Sequence, residues 1–114
     1  MAIVNIIVYN DADFYRTFAY QTVAGDPIDL TGGVMEMMLR RHASDAAALM
    51  RLATDTGEIV LIDPVAGMFT VRIAQGALER FGLGDYDHSN ILTLGGSKVR
   101  IWSGTLTNNA GATR

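Results

Sequence analysis

Glu58-Ile59-Val60-Leu61-Ile62-Asp63-Pro64-Val65-Ala66-Gly67-Met68-Phe69-Thr70-Val71-Arg72-Ile73-Ala74 decides the fold. In 68–74 the apolar Phe69, Val71 and Ile73 alternate with Thr70 and Arg72. That two-residue period places one set on a buried face and the other in water, as in a half-buried strand. Upstream, Ile59 to Ile62 form an uninterrupted apolar run, expected of a strand covered on both sides. Pro64-Val65-Ala66-Gly67 joins the two, with proline presetting φ and glycine permitting a turn. The reading is a β-hairpin of 58–63 with 68–74.

Working outward, short segments rich in β-branched, aromatic and aliphatic residues recur, broken by Gly, Asp, Asn or Pro at intervals of about eight to twelve residues. Toward the C-terminus, 86–94 and 98–106 flank Gly95-Gly96-Ser97 and make a second hairpin. Toward the N-terminus, 34–41 follows Gly32-Gly33 and alternates Met35, Met37 and Leu39 with Glu36, Met38 and Arg40. The odd positions are expected to face the core, with the methionines as packing residues. Residues 3–9 form a first strand ended by Asn10-Asp11-Ala12-Asp13, and 14–22 a second, in which Arg16 interrupts the face shared by Phe14, Phe18 and Tyr20. Ala24-Gly25-Asp26-Pro27 is a turn, followed by Ile28-Asp29-Leu30-Thr31. Residues 44–53 read as a loop followed by a strand, although Ser44-Asp45 also suits a helix cap. Gly76 to Phe81 is a helical turn or a loop. The spacing points to an all-β sandwich or barrel of antiparallel strands, one domain over 1–114 with 107–114 as a flexible tail.

Composition supports a folded chain and narrows its partners. Of 114 residues 49% are hydrophobic and 18% charged, far from the regime of disordered chains. The apolar share is high for a small domain, which favours apolar surface left for subunit or partner contacts and a homo-oligomer. Nine basic against twelve acidic side chains give a net charge of −3 and no field for a run of phosphates, so nucleic acid is not expected as a partner. The apolar opening 3–8 lacks a basic n-region and is broken by Asn5 and Asn10, so neither a signal peptide nor a membrane span is expected. Synthesis in the cytoplasm follows. The absence of cysteine removes disulfides and thiolate chemistry.

Few residues offer chemistry. His42 and His88 lie at no metal-ligand spacing. Asp85 and Asp87 would share one strand face and His88 the other, so an acid/base site would need them to converge; the plain alternative is a solvated strand entrance. Asn10, Asp11 and Asp13 lack the further ligands, central glycine and closing glutamate of a calcium loop. Ser44, Ser89, Ser97 and Ser103 sit in no nucleophile elbow, and neither glycine pair forms a phosphate cradle. No catalytic, cofactor-binding or metal-binding residues are assigned, no cofactor is expected, and the chain is read as a binding protein and not an enzyme. Trp102, Tyr86 and Tyr20 are large packing residues that would also suit stacking on a sugar. A carbohydrate-binding β-sandwich module is therefore the alternative reading.

Two parts of the chain, taken together, resemble small phage and prophage tail-module proteins related to the N-terminal domain of baseplate upper proteins. The first is Gly25-Asp26-Pro27-Ile28-Asp29-Leu30-Thr31-Gly32 with the following strand 35–41. The second is the ordered set Gly57-x-Ile59, Gly67-x-Phe69, Gly84-x-Tyr86, Trp102-x-Gly104-x-Leu106 and Gly111-x-Thr113-Arg114. Where relatives often carry Tyr-x-Tyr-Asp-Leu, this chain has Tyr86-Asp87-His88-Ser89-Asn90. The resemblance implies an all-β, immunoglobulin-like antiparallel β-sandwich and a structural protein of the bacteriophage virion tail, joining baseplate or tail-fibre parts, with other tail proteins as partners and no catalytic residues. On that reading the candidate contacts are the C-terminal tail, Trp102 and the loop from Gly25 to Gly33.

Overall fold

The computed structural model of the chain describes residues 2–113. Nine strands, β1 (Ala2–Ile3), β2 (Ile6–Tyr9), β3 (Phe14–Ala19), β4 (Val34–Arg40), β5 (Met50–Ala53), β6 (Ile59–Asp63), β7 (Met68–Ile73), β8 (Gly84–Leu94) and β9 (Ser97–Asn109), and one helix, α1 (Gln75–Phe81), form an all-β sandwich. The larger sheet runs β1-β9-β8-β4-β5, with β2 also on β9, and the smaller runs β3-β7-β6. The chain crosses between sheets after β2, β3, β5 and β7, so neither sheet is built from one stretch of sequence.

Both expected hairpins are present. β6 and β7 pair antiparallel with a register shift between Val60 and Asp63. β8 and β9 pair from Gly84–Asn108 to Leu94–Ser97, leaving Gly95 and Gly96 as a two-residue loop with φ of 60° and 82°. Two consecutive left-handed residues match the twist of the strands they join, and only glycine adopts them without strain. In β4, Met35, Met37 and Leu39 are fully buried as the alternation requires, and each contributes roughly 1.5–3 kcal/mol by leaving water. The stretch 44–53 is a loop followed by β5.

Several expectations are corrected by the tertiary structure. Ile59 to Ile62 are not covered on both sides: β6 is an edge strand, and Val60 and Ile62 stay about half exposed, while Thr70, expected in water, is buried on the neighbouring β7. The first strand is split at Val4-Asn5 into β1 and β2, both parallel to β9. Between β3 and β4, Leu30 is fully buried, and its N–H donates to the Pro64 carbonyl at 2.8 Å. The 107–114 boundary also moves. β9 continues to Asn109, Gly111 is buried, and the Asn10 side chain accepts the Gly111 N–H at 2.9 Å. Asp11 accepts the Thr113 N–H, so the polar turn after β2 clasps the C-terminal segment. Arg114, the last residue of the motif set, lies outside the described residues.

α1 closes one end of the sandwich. The Asp13 carboxylate accepts the Gln75 N–H at 2.7 Å from across the chain. At the other end, Asn108 Nδ2 donates to the carbonyls of Leu78 and Gly82, and the Tyr86 hydroxyl lies 3.1 and 2.9 Å from those of Phe81 and Gly82. Side chains of β8 and β9 thus satisfy the carbonyls that a helix end leaves without partners.

Candidate functional site

The residues named for chemistry are brought together only in part: Asp87, His88, Ser89 and Ser103 line one small pocket of about 230 Å³, and Asp85 and His42 do not. On β8 the inward series is Tyr86, His88, Asn90 and Leu92, and Asp85 and Asp87 point outward, as the period predicts. Asp85 accepts the Thr107 hydroxyl and Asp87 the Ala43 N–H, so both carboxylates serve loops and strands on the outer surface. His88, however, is no solvated strand entrance; it is 5% exposed, with neither ring nitrogen hydrogen-bonded inside the protein. Burial pushes its imidazole below the usual histidine range, against the opposing pull of the Thr105 and Val4 backbone and of Asp87. His42 lies in the exposed loop before β5, and no group of three metal-capable side chains gathers among the described residues. The Asn10 to Asp13 oxygens accept backbone N–H groups, as described above.

Tyr86 and Trp102 are core residues, 1% and 4% exposed, and neither offers a sugar a flat platform. Tyr86 is enclosed by Phe81, with ring centroids 4.0 Å apart, and by the Arg41 guanidinium 4.2 Å over its ring. Trp102 is reached differently. β9 bulges opposite Asn90, where Asn90 pairs with Trp102 and Ile91 with Arg100, so Ile101 is the extra residue. Ile101 and Trp102 therefore both turn inward, which no strict alternation predicts.

The bulge helps to build a groove of about 830 Å³ where the two sheets open beside β1 and β3. Its floor is Phe18, Phe69 and Trp102, with ring centroids 4.6 Å apart for Phe18–Trp102 and 5.6 Å for each other pair. Ala2 and Val4 form one wall, and Tyr20 to Val23 with Ile28 the other. The second wall exists because the chain folds back after β3, with a Gln21–Pro27 bridge and an Ile28 N–H to Tyr20 carbonyl bond. The Gly25-Asp26-Pro27-Ile28 part of the first motif thus shapes a groove wall. Tyr20 is half-buried there, and Arg100 is the only charged lining residue. The Trp102 Nε1–H is buried without an acceptor in the protein.

No protein-family model matches the sequence, and no curated protein matches it. Among solved structures, 22 chains match. One is the N-terminal domain of phage TP901-1 ORF48. The two are 15% identical over 96% of this chain and 84% of that one, with a TM-score of 0.48. The similarity assigns neither residues nor a role.

Free edges and exposed apolar side chains complete the picture. β3 and β6 bound the smaller sheet, and β5 and the β1/β2 line bound the larger. Ile3, Ile7 and Tyr9 project from the β1/β2 line at 54–68% exposure, and Val60 and Ile62 from β6. Sequence reasoning named Trp102 but missed Phe18, Phe69 and Val4 as its neighbours, because they come from three other strands and linkers.

Proposed function

We propose that the chain is a non-catalytic structural or adaptor protein of a bacteriophage or prophage tail that joins baseplate or tail-fibre parts by protein–protein contacts. The observation that carries the reading is the combination of free strand edges, an aromatic-floored groove and apolar side chains left in water on two edges of one small sandwich. Edges offer backbone hydrogen bonds and the apolar residues offer area, the two means by which sheets join neighbours. The ordered motif set supports placing that contact in a tail. Some of its residues shape the joining surfaces: Ile28 in the groove wall, Phe69 and Trp102 in its floor, and Gly104 under the broken edge strand. Repeated copies in a virion would use such surfaces without turnover chemistry. The carbohydrate alternative loses Trp102 and Tyr86 as open platforms and keeps only Tyr20, half-buried in the groove wall.

Sedimentation of an induced lysate, with mass spectrometry of each fraction, tests the proposal. The chain is expected to travel with assembled tail particles. A chain confined to the top of the gradient, with no tail protein captured on it, would refute the tail assignment.

A further inference from the structure

The groove beside β3 has two properties that together select an occupant. First, it lies next to a free backbone edge, since β3 pairs with β7 on one side only. Second, its charges have one sign. Arg100 lines the rim, and no carboxylate lines the groove. Arg16, in the inward register of β3 opposite Val71, sits with its guanidinium 5.5 Å from the Phe14 ring and 5.9 Å from the Phe18 ring at the edge of the floor. Neither arginine is ion-paired among the described residues.

An inward-pointing charge on an edge strand is a recognised guard against indiscriminate edge pairing. A second copy of this chain docking β3 against β3 would bring Arg16 toward its own symmetry mate, and like charges across a strand pair oppose pairing. The guard is relieved by a strand that supplies a carboxylate. We propose that the groove is a strand-acceptor site for an extended segment of a different protein, with apolar side chains at alternate positions and at least one Asp or Glu. Its backbone pairs with the free edge of β3, and its apolar side chains enter the groove against Phe18, the partly exposed ring of the floor. A carboxylate meets Arg16 or Arg100. This deepens the assembly reading and rests on it only for the source of the segment.

Selection of a random 12-residue peptide library on the immobilised full chain tests the site. Enriched peptides are expected to alternate apolar residues and to carry Asp or Glu. They should change the emission of Trp102, the sole tryptophan, and slow amide exchange within β3. Arg16→Glu or Arg100→Glu should weaken them by roughly tenfold or more, since a charge reversal places like charges in contact. Arg80→Glu, on α1 away from the groove, should leave affinity unchanged. Circular dichroism of each variant confirms that it folds. Enrichment of basic sequences, no enrichment, binding indifferent to both arginine reversals, or saturation of the groove by dodecanoate in place of peptide would each overturn the proposal. A chain that co-sediments with tails but selects no acidic peptide keeps its tail role and loses this site; one that selects such peptides but never enters particles loses the tail role alone.

Discussion

Gly104 is the residue on which the broken edge strand turns. It lies in β9 opposite His88, and a Cβ at this position would sit 2.0 Å from the Val4 carbonyl oxygen and 3.0 Å from Asn5 Oδ1. Its φ is not left-handed, so an alanine would suffer no backbone penalty there; the side-chain-free approach of Val4 is the whole requirement. Gly104→Ala should therefore gain the ~0.5–1 kcal/mol that alanine holds over glycine in a strand, against an overpacking cost of ~1–3 kcal/mol. The net expectation is a loss of about 1–2 kcal/mol, or a fall of several degrees in Tm for a chain of this size. The backbone obstruction cannot be relieved by a rotamer, so the relief is peeling of β1. The Val4 N–H, bonded to the Ser103 carbonyl at 2.9 Å, should lose its exchange protection. So should the Thr105 N–H, which donates to Asn5 Oδ1. Urea unfolding with hydrogen exchange reads both. A variant as stable as the parent, with Val4 still protected, would refute the close approach of the edge strand and with it the shape of the groove wall.

Three further outcomes are expected. Tyr86→Phe leaves the Phe81 carbonyl and an Arg41 N–H without the hydroxyl that serves them, and should cost about 1–2 kcal/mol in chemical denaturation, most of it recovered if Arg41→Met is added. Stability should decline as pH is lowered from 7 to 5: His88 in the folded chain sits below its ordinary value of 6.5, so the unfolded chain takes up the proton first. Its contribution is full above 6.5 and is lost as pH falls toward the folded value; His88→Leu should flatten that slope, and an unchanged slope would show that His88 is not buried neutral. Asn10→Ala removes the acceptor of the Gly111 N–H and should accelerate amide exchange at Gly111 and Thr113, with about 1 kcal/mol lost; exchange rates equal to the parent's would show that the clasp does not hold the C-terminal segment.

The sequence by itself determined the two hairpins, the turn at Gly95-Gly96, the buried face of β4 and the opposite faces of His88 and its flanking aspartates. These follow from local geometry, because a strand's side chains alternate with a period of two and a tight turn requires particular residues at particular positions. Even Arg16, which breaks the alternation of its strand, is visible as an irregularity, although not as a guard. Only the tertiary structure decided that β1 and β2 run parallel to β9, that a bulge turns Ile101 and Trp102 inward together, and that His88 is buried. It also decided that the apolar run 59–62 belongs to an edge and that Asn10 holds Gly111. Each of those depends on which distant segment lies alongside, and contacts spanning as many as 102 residues, as from Asp11 to Thr113, leave no period in the sequence that a local reading can detect.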